Sequence, residues 1–369
     1  MREPALARRS AGTMHAAVRV RTLLVVFGLS VGGTLFQLAA MESAELGRQQ
    51  DTPPIARWCH SAAVVNGKIY VIGGAGADNQ PVASVEVYDP ATGTWESRAS
   101  IPTARALFGV GTVGGLIYAV GGTTIGRDKL AVVEAYDPAT DTWTRRADMP
   151  TPRNALSAAV VDGKLYAIGG WGFDRPEGGW ESVDPAARGE DFATVEIYDP
   201  ATDSWAVGAA MPTPRNHMTA CAVGRKIYVI GGGHQATGVD VALSQVGVYD
   251  TATNRWTSGA DIPTPRGVPS SAVIDGRIFV TGGIAILAQG SSQTERMRNR
   301  IPVAVVEVYD PASDRWVTSA DLATPRGWFS TSVLNGILYV VGGRSLAPDG
   351  GILEVDGTFP GPEIYTPFR

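Results

Sequence analysis

Cysteine, lysine, histidine and charge in general are scarce in this chain of 369 residues. Only 18% of residues are charged and the formal net charge is −5, so no basic face for nucleic acid is to be expected. Of 31 basic residues only 4 are lysine; a genome-wide bias accounts for that skew more simply than selection for anion binding. The two cysteines, Cys59 and Cys221, allow one disulfide at most. No Ser-His-Asp or paired-carboxylate constellation is recognisable. Glycine and proline, by contrast, are abundant, with 45 and 24 copies, and 44% of residues are apolar. That combination excludes disorder, coiled coil and helical bundle, and points to a turn-rich, all-β protein.

Residues 22–41 contain no charge and follow Arg8, Arg9, Arg19 and Arg21. A basic stretch before an apolar one is the layout of an export signal, so 1–41 is expected to be a cleaved signal or a retained membrane anchor, with 44–369 outside the cytoplasm. Leu38 stands where a small residue is preferred before a cleavage site at Ala40, which keeps the anchor open.

The remainder is a repeat. Six glycine pairs, beginning at Gly73, Gly121, Gly169, Gly231, Gly282 and Gly342, each end an apolar run. An arginine stands 17 residues before the second glycine every time: Arg57, Arg105, Arg153, Arg215, Arg266 and Arg326. Between them lies a two-residue hairpin turn, such as Asn66-Gly67 or Asp162-Gly163, of the kind that requires positive φ. A strand ending in Tyr88, Tyr136, Tyr198, Tyr249, Tyr309 or Tyr365 follows, and in five copies a tryptophan comes seven residues later. Each unit therefore predicts four antiparallel strands, and six units bury their faces by stacking radially into a closed propeller. The last tyrosine lacks its tryptophan, and counting ten residues back from Arg57 predicts that 45–50 supplies the missing fourth strand of blade six. The same count places Cys59 and Cys221 in opposed blades, so two free thiols are expected.

The paired glycines, the tyrosine and the spaced tryptophan resemble the kelch repeat, over residues 55–365. The resemblance implies a six-bladed kelch β-propeller. It leaves function open, because such propellers include protein-binding substrate adaptors, the copper enzyme galactose oxidase, sialic acid mutarotases and plant specifier proteins. Neither the ligand set of the copper enzyme nor the E-x-x-x-D-x-x-x-H iron motif of the specifier proteins is present, and no cofactor or metal is expected. A pairing of His217 and His234 around a metal, with Asp240 or His60 as third ligand, is the weaker alternative. The roughly fifty residues before the first blade are too few for the BTB domain of many adaptors.

All variation in length falls between the second glycine and the tyrosine, where the gaps run 14, 14, 28, 17, 26 and 22 residues. These loops and the arginine-bearing connections emerge at one mouth, where recognition is expected. The six arginines themselves read either as a carboxylate-binding ring or, more economically because they recur in every copy, as architecture. Residues that differ between copies are the better binding candidates: Trp58, His60, Asn154, Trp171, Asn216, His217, His234, Trp328 and Arg344. Aromatic platforms among Asn, His and Arg suit a glycan or a polar peptide. The expectation is thus a binding module for a protein or glycan, with a sugar mutarotase or epimerase as the enzymatic alternative.

Overall fold

Six hairpins begin the six blades, and their turns show why the glycines are where they are. Asn66 and Gly67 both have positive φ, as do the equivalent residues in blades two, three, five and six. In blade four only Gly224 of Gly224-Arg225 does, the pattern of a II′ turn. The structure is a computed structural model that describes residues 57–124, 128–172, 189–234, 241–286, 300–345 and 362–365. The apolar segment 22–41 and the expected closing strand 45–50 lie outside the described residues.

Blade one consists of Ser61–Val65, Lys68–Ile72, Val85–Asp89 and Thr94–Arg98, paired antiparallel in sequence order. Blades two to five repeat this order from Gly109–Val113, Ser157–Val161, Thr219–Val223 and Ser270–Ile274. Blade six has three described strands, Ser330–Leu334, Ile337–Val341 and Glu363–Tyr365. The second strand of each blade is covered on both faces: Ile69, Ile117, Leu165, Ile227, Ile278 and Leu338, in equivalent positions, are fully buried. On the outer strands, Trp95, Trp143, Trp205, Trp256 and Trp316 each lie about 5 Å from the tyrosine opposite, 5.0 Å for Tyr88 and Trp95. The indoles of blades two to five also donate across the blade boundary, as Trp143 Nε1 does to the Ala99 carbonyl at 2.8 Å.

The glycine pair is the latch between blades. The N–H of Gly74 donates to the carbonyl of Arg105 in the next blade at 2.8 Å, and Gly122, Gly170, Gly232 and Gly283 repeat the bond. Gly343 of blade six donates to Arg57 of blade one at 3.2 Å, so the ring of six closes on itself. A Cβ on the first glycine of each pair would stand 2.6 to 2.8 Å from that same carbonyl, and both glycines have positive φ. No other residue satisfies both conditions.

Candidate functional site

The six arginines belong to the blades rather than to a ligand. Arg105, Arg153 and Arg266 are completely buried, and Arg57, Arg215 and Arg326 nearly so. Their guanidinium groups pair with a third-strand carboxylate: Arg57 with Glu86, Arg105 with Glu134, Arg153 with Glu196, Arg266 with Glu307 and Arg326 with Glu363. Other guanidinium N–H groups donate to carbonyls of the blade; Arg105 reaches Gly121 and Val132 at 3.1 and 2.9 Å. In blade four, Gly247 stands where the glutamate would be, and Gln245 Oε1 accepts from Arg215 instead at 3.1 Å. Burial pushes the Arg105 and Arg215 pKa values down to about 10, so both stay charged near neutrality. As ligand contacts the six arginines are therefore corrected to structural residues.

The residue two places after each arginine lines the axis. Cys59, Leu107, Ala155, His217, Val268 and Trp328 all have φ between 46° and 58°. Leu107 N–H donates to Cys59 O, Ala155 to Leu107, His217 to Ala155, Val268 to His217 and Cys59 to Trp328, at 2.7 to 3.0 Å. These six side chains stand around an axial cavity of about 110 Å³. One residue further on, Phe108, Leu156, Met218, Pro269 and Phe329 are core residues, and His60 takes the equivalent place in blade one. His60 is buried against Gly342 of blade six. Burial, reinforced by the charge of Arg57, lowers its pKa to about 3. It sits at the joint between blades six and one, at the base of the axial cavity, where it lines the wall beside Cys59.

A second cavity, about 90 Å³, opens beside the axial one over blades four and five, and the two share His217, Val268 and Trp328. Its apolar wall is Val241, Ile284, Ile286 and Trp328; its polar wall is Asn216, His217, His234 and Arg300. His217 Nδ1 lies 2.6 Å from Asn216 Oδ1, and Asn216 Nδ2 donates to Asp191 Oδ1. The other oxygen of Asp191 lies 3.0 Å from His234 Nδ1. Burial, with Arg300 nearby, lowers the His217 pKa to about 4, so its imidazole is neutral near neutrality. Across the mouth, Trp58 meets Trp328 edge-on at 5.8 Å and Arg344 lies over the Trp58 ring at 5.0 Å. Asn154 is buried in a short ladder with Trp171, whose ring carries Lys129 above it at 4.4 Å.

Of the sequence candidates, Asn216, His217, His234 and Trp328 thus share one cavity, Trp58 and Arg344 flank it through Trp328, and Asn154 and Trp171 lie on blade three. Asp191, Arg300, Ile284 and Ile286 were not among them. Asp191 and Arg300 sit in the blade-three and blade-five insertions, where no repeat marks them; the ring position of Val268 was visible in the spacing. Asp240 lies outside the described residues. Among the described residues no group of three or more His, Cys, Asp or Glu is placed to hold a metal ion. Cys59 and Cys221 are both free thiols.

Residues 7–170, 96–283 and 186–343 each match the family model of the KLHDC2/KLHL20/DRC7 kelch-repeats domain. The chain belongs to the kelch-repeat family. Relatives of this kelch propeller include beta-scruin of Limulus polyphemus, 32% identical over 154 residues covering 41% of the chain and 16% of that protein. Kelch-like protein 23 of Homo sapiens is 28% identical over 155 residues, 42% of the chain and 25% of that protein. The chain spans a quarter or less of the length of these curated relatives. A solved structure titled "Structure of YjhT" superposes with a TM-score of 0.66 at 17% identity, covering 81% of the chain and 94% of the other, and shares its fold. A kelch propeller of this kind suggests a protein-binding module.

Proposed function

We propose that the chain is an extracytoplasmic binding module that takes a glycan or protein ligand at the loop-rich mouth. The observation that carries this reading is the joined pair of cavities over the axis and blades four and five. The second is walled by the described ends of the blade-four and blade-five insertions, His234, Val241, Ile286 and Arg300, and sets aromatic and aliphatic side chains beside a row of Asn, His and Arg. Concave, mostly apolar sites with a few convergent polar groups are where small ligands and peptide side chains bind. The basic stretch and the uncharged segment 22–41 support export, by cleavage or with the segment kept as an anchor. A glycan-array screen of the wild-type chain beside Trp328→Ala tests the reading: hits that Trp328→Ala loses support it, and hits that survive the substitution overturn it.

The contact of His234 Nδ1 with the buried Asp191 carboxylate favours a second reading, a sugar mutarotase or epimerase. An imidazole oriented by a carboxylate can take and return a proton. Anomeric exchange followed by NMR on any array hit separates the two: exchange accelerated in wild type and not in His234→Ala supports catalysis, and an unchanged rate removes it.

A further inference from the structure

The blade-three insertion sends one carboxylate across to blade four, and that carboxylate touches both histidine systems of the mouth. Asp191 is an exposed-loop residue by sequence, yet its side chain is only 2% exposed. Its backbone is held by pairing with Trp171, and its two oxygens divide the work: Oδ1 accepts from Asn216 Nδ2, and Oδ2 faces His234 Nδ1 at 3.0 Å. The consequence follows from donor and acceptor inventory alone. A carboxylate only accepts, so the Asn216 amide must present its NH₂ to Asp191 and its oxygen to His217. An amide oxygen only accepts, so His217 Nδ1, 2.6 Å away, must carry the proton. Asp191 Oδ2 stands 3.0 Å from His234 Nδ1 without the alignment of a hydrogen bond, yet a carboxylate facing a nitrogen lone pair at that distance would be repelled, so the proton of the neutral ring belongs on His234 Nδ1. In the neutral rings both Nε2 atoms then hold a lone pair, and neither has a hydrogen-bond partner among the described residues. Both rings line the same cavity, beside Trp328, Val268 and Ile284.

We propose that Asp191 is the positioning residue of the mouth, and that it sets His217 and His234 as two hydrogen-bond acceptors for a hydroxyl-bearing ligand of the sugar or polyol class. The proposal rests on the mouth being the binding face and narrows what is bound there. A sugar ring meets the two requirements together: hydroxyl groups to donate to the Nε2 pair, and a C–H face to lie on the Trp328 and isoleucine wall. Outward imidazoles anchored through their other nitrogen are pre-organised, so the ligand need not order them on binding.

The test reads the tautomers directly, by nitrogen-15 NMR of the full chain at pH 8, where imidazoles are neutral. His217 and His234 are both expected as Nδ1–H tautomers in wild type. Asp191→Asn offers only one acceptor and should convert at least one of them; Asn216→Ala cuts only the His217 link and should release that ring alone, leaving His234 as it was. Glycerol, the simplest polyol probe, should move both Nε2 resonances in wild type and need about tenfold more to do so in Asp191→Asn, a factor of ten in affinity. N-methylacetamide, which offers a peptide N–H, should move them less than glycerol. Nε2–H tautomers in wild type, or tautomers unaffected by both variants, overturn the positioning role. A stronger response to the amide than to glycerol, or no response to glycerol, overturns the ligand class. The tautomer readout needs no bound ligand, so a chain with the expected tautomers and an empty glycan array would sink the glycan form of the binding reading while leaving Asp191 in its role.

Discussion

Single residues decide which of the repeated features serve the scaffold. Glu134 and Arg105 neutralise each other where neither can reach water. Glu134→Ala leaves the Arg105 charge buried and unmatched, and should cost about 3 to 5 kcal/mol in urea unfolding with no change in ligand affinity. An altered affinity with unaltered stability would mean the arginine faces a ligand after all. His60 carries a different prediction, because its folded pKa, about 3, lies below its ordinary value of 6.5. Above pH 6.5 the ring is neutral in both states and contributes no pH dependence. Between 6.5 and 3 the unfolded chain binds a proton that the folded chain refuses, so stability falls as pH falls, by about 1.4 kcal/mol per unit for this group. His217, lowered to about 4, acts in the same direction over a shorter window. His60→Phe, which puts at this joint the residue that blades two and six use, should therefore gain on wild type more at pH 5 than at pH 7.5. An equal gain at both would contradict the burial of a neutral imidazole.

At the scale of elements, the glycine pair and the hairpin turn both use positive φ, yet they are not equivalent. A Cβ on Gly115 in the blade-two turn meets nothing within 4 Å, whereas one on Gly122 would stand 2.8 Å from the Ala106 carbonyl and 2.9 Å from Phe108 Cβ. Gly115→Ala should cost about 1 kcal/mol, the strain of the left-handed backbone alone. Gly122→Ala should cost more, because its N–H also latches onto Arg153 of blade three; equal urea midpoints would remove the latch from the account. Elements were the most legible part of the sequence. Turn residues, glycine pairs and the Tyr-to-Trp interval recur because each copy solves one packing problem, and the register they imply, with 217 opposite 232, continues the observed pairing of Thr219 with Ile230. The mouth was legible only in part. His217 and Trp328 stand at a fixed distance from their arginines, so spacing found them. Asp191 and Arg300 come from insertions that occur once each, and a residue without a counterpart in the other copies leaves no periodic trace. The arginine ring was legible as architecture because it recurs in every copy, whereas its partner, a glutamate on the third strand, is 29 to 43 residues away in blades one, two, three and five and absent from blade four.

For the whole molecule, the ring is closed on the inside by Gly343 and Arg57, while blade six has three described strands where the others have four. Among the described residues Trp95 Nε1 has no partner, although the equivalent indoles of blades two to five each bond a carbonyl after the fourth strand of the preceding blade. Blade one is preceded by blade six, whose fourth strand the sequence assigns to 45–50, outside the described residues. A chain starting at Thr52 should then melt several degrees below one starting at Ser43, and equal melting temperatures would show that 45–50 does not complete the blade. The central claim is that ligand enters at the mouth over blades four and five. Hydrogen–deuterium exchange of the chain with and without its best glycan-array hit tests it most directly. Added protection at 216–217, 233–234, 267–268 and 284–286 is the predicted result; protection confined to the hairpin turns at 66–67, 162–163 or 335–336, on the opposite face, would contradict it.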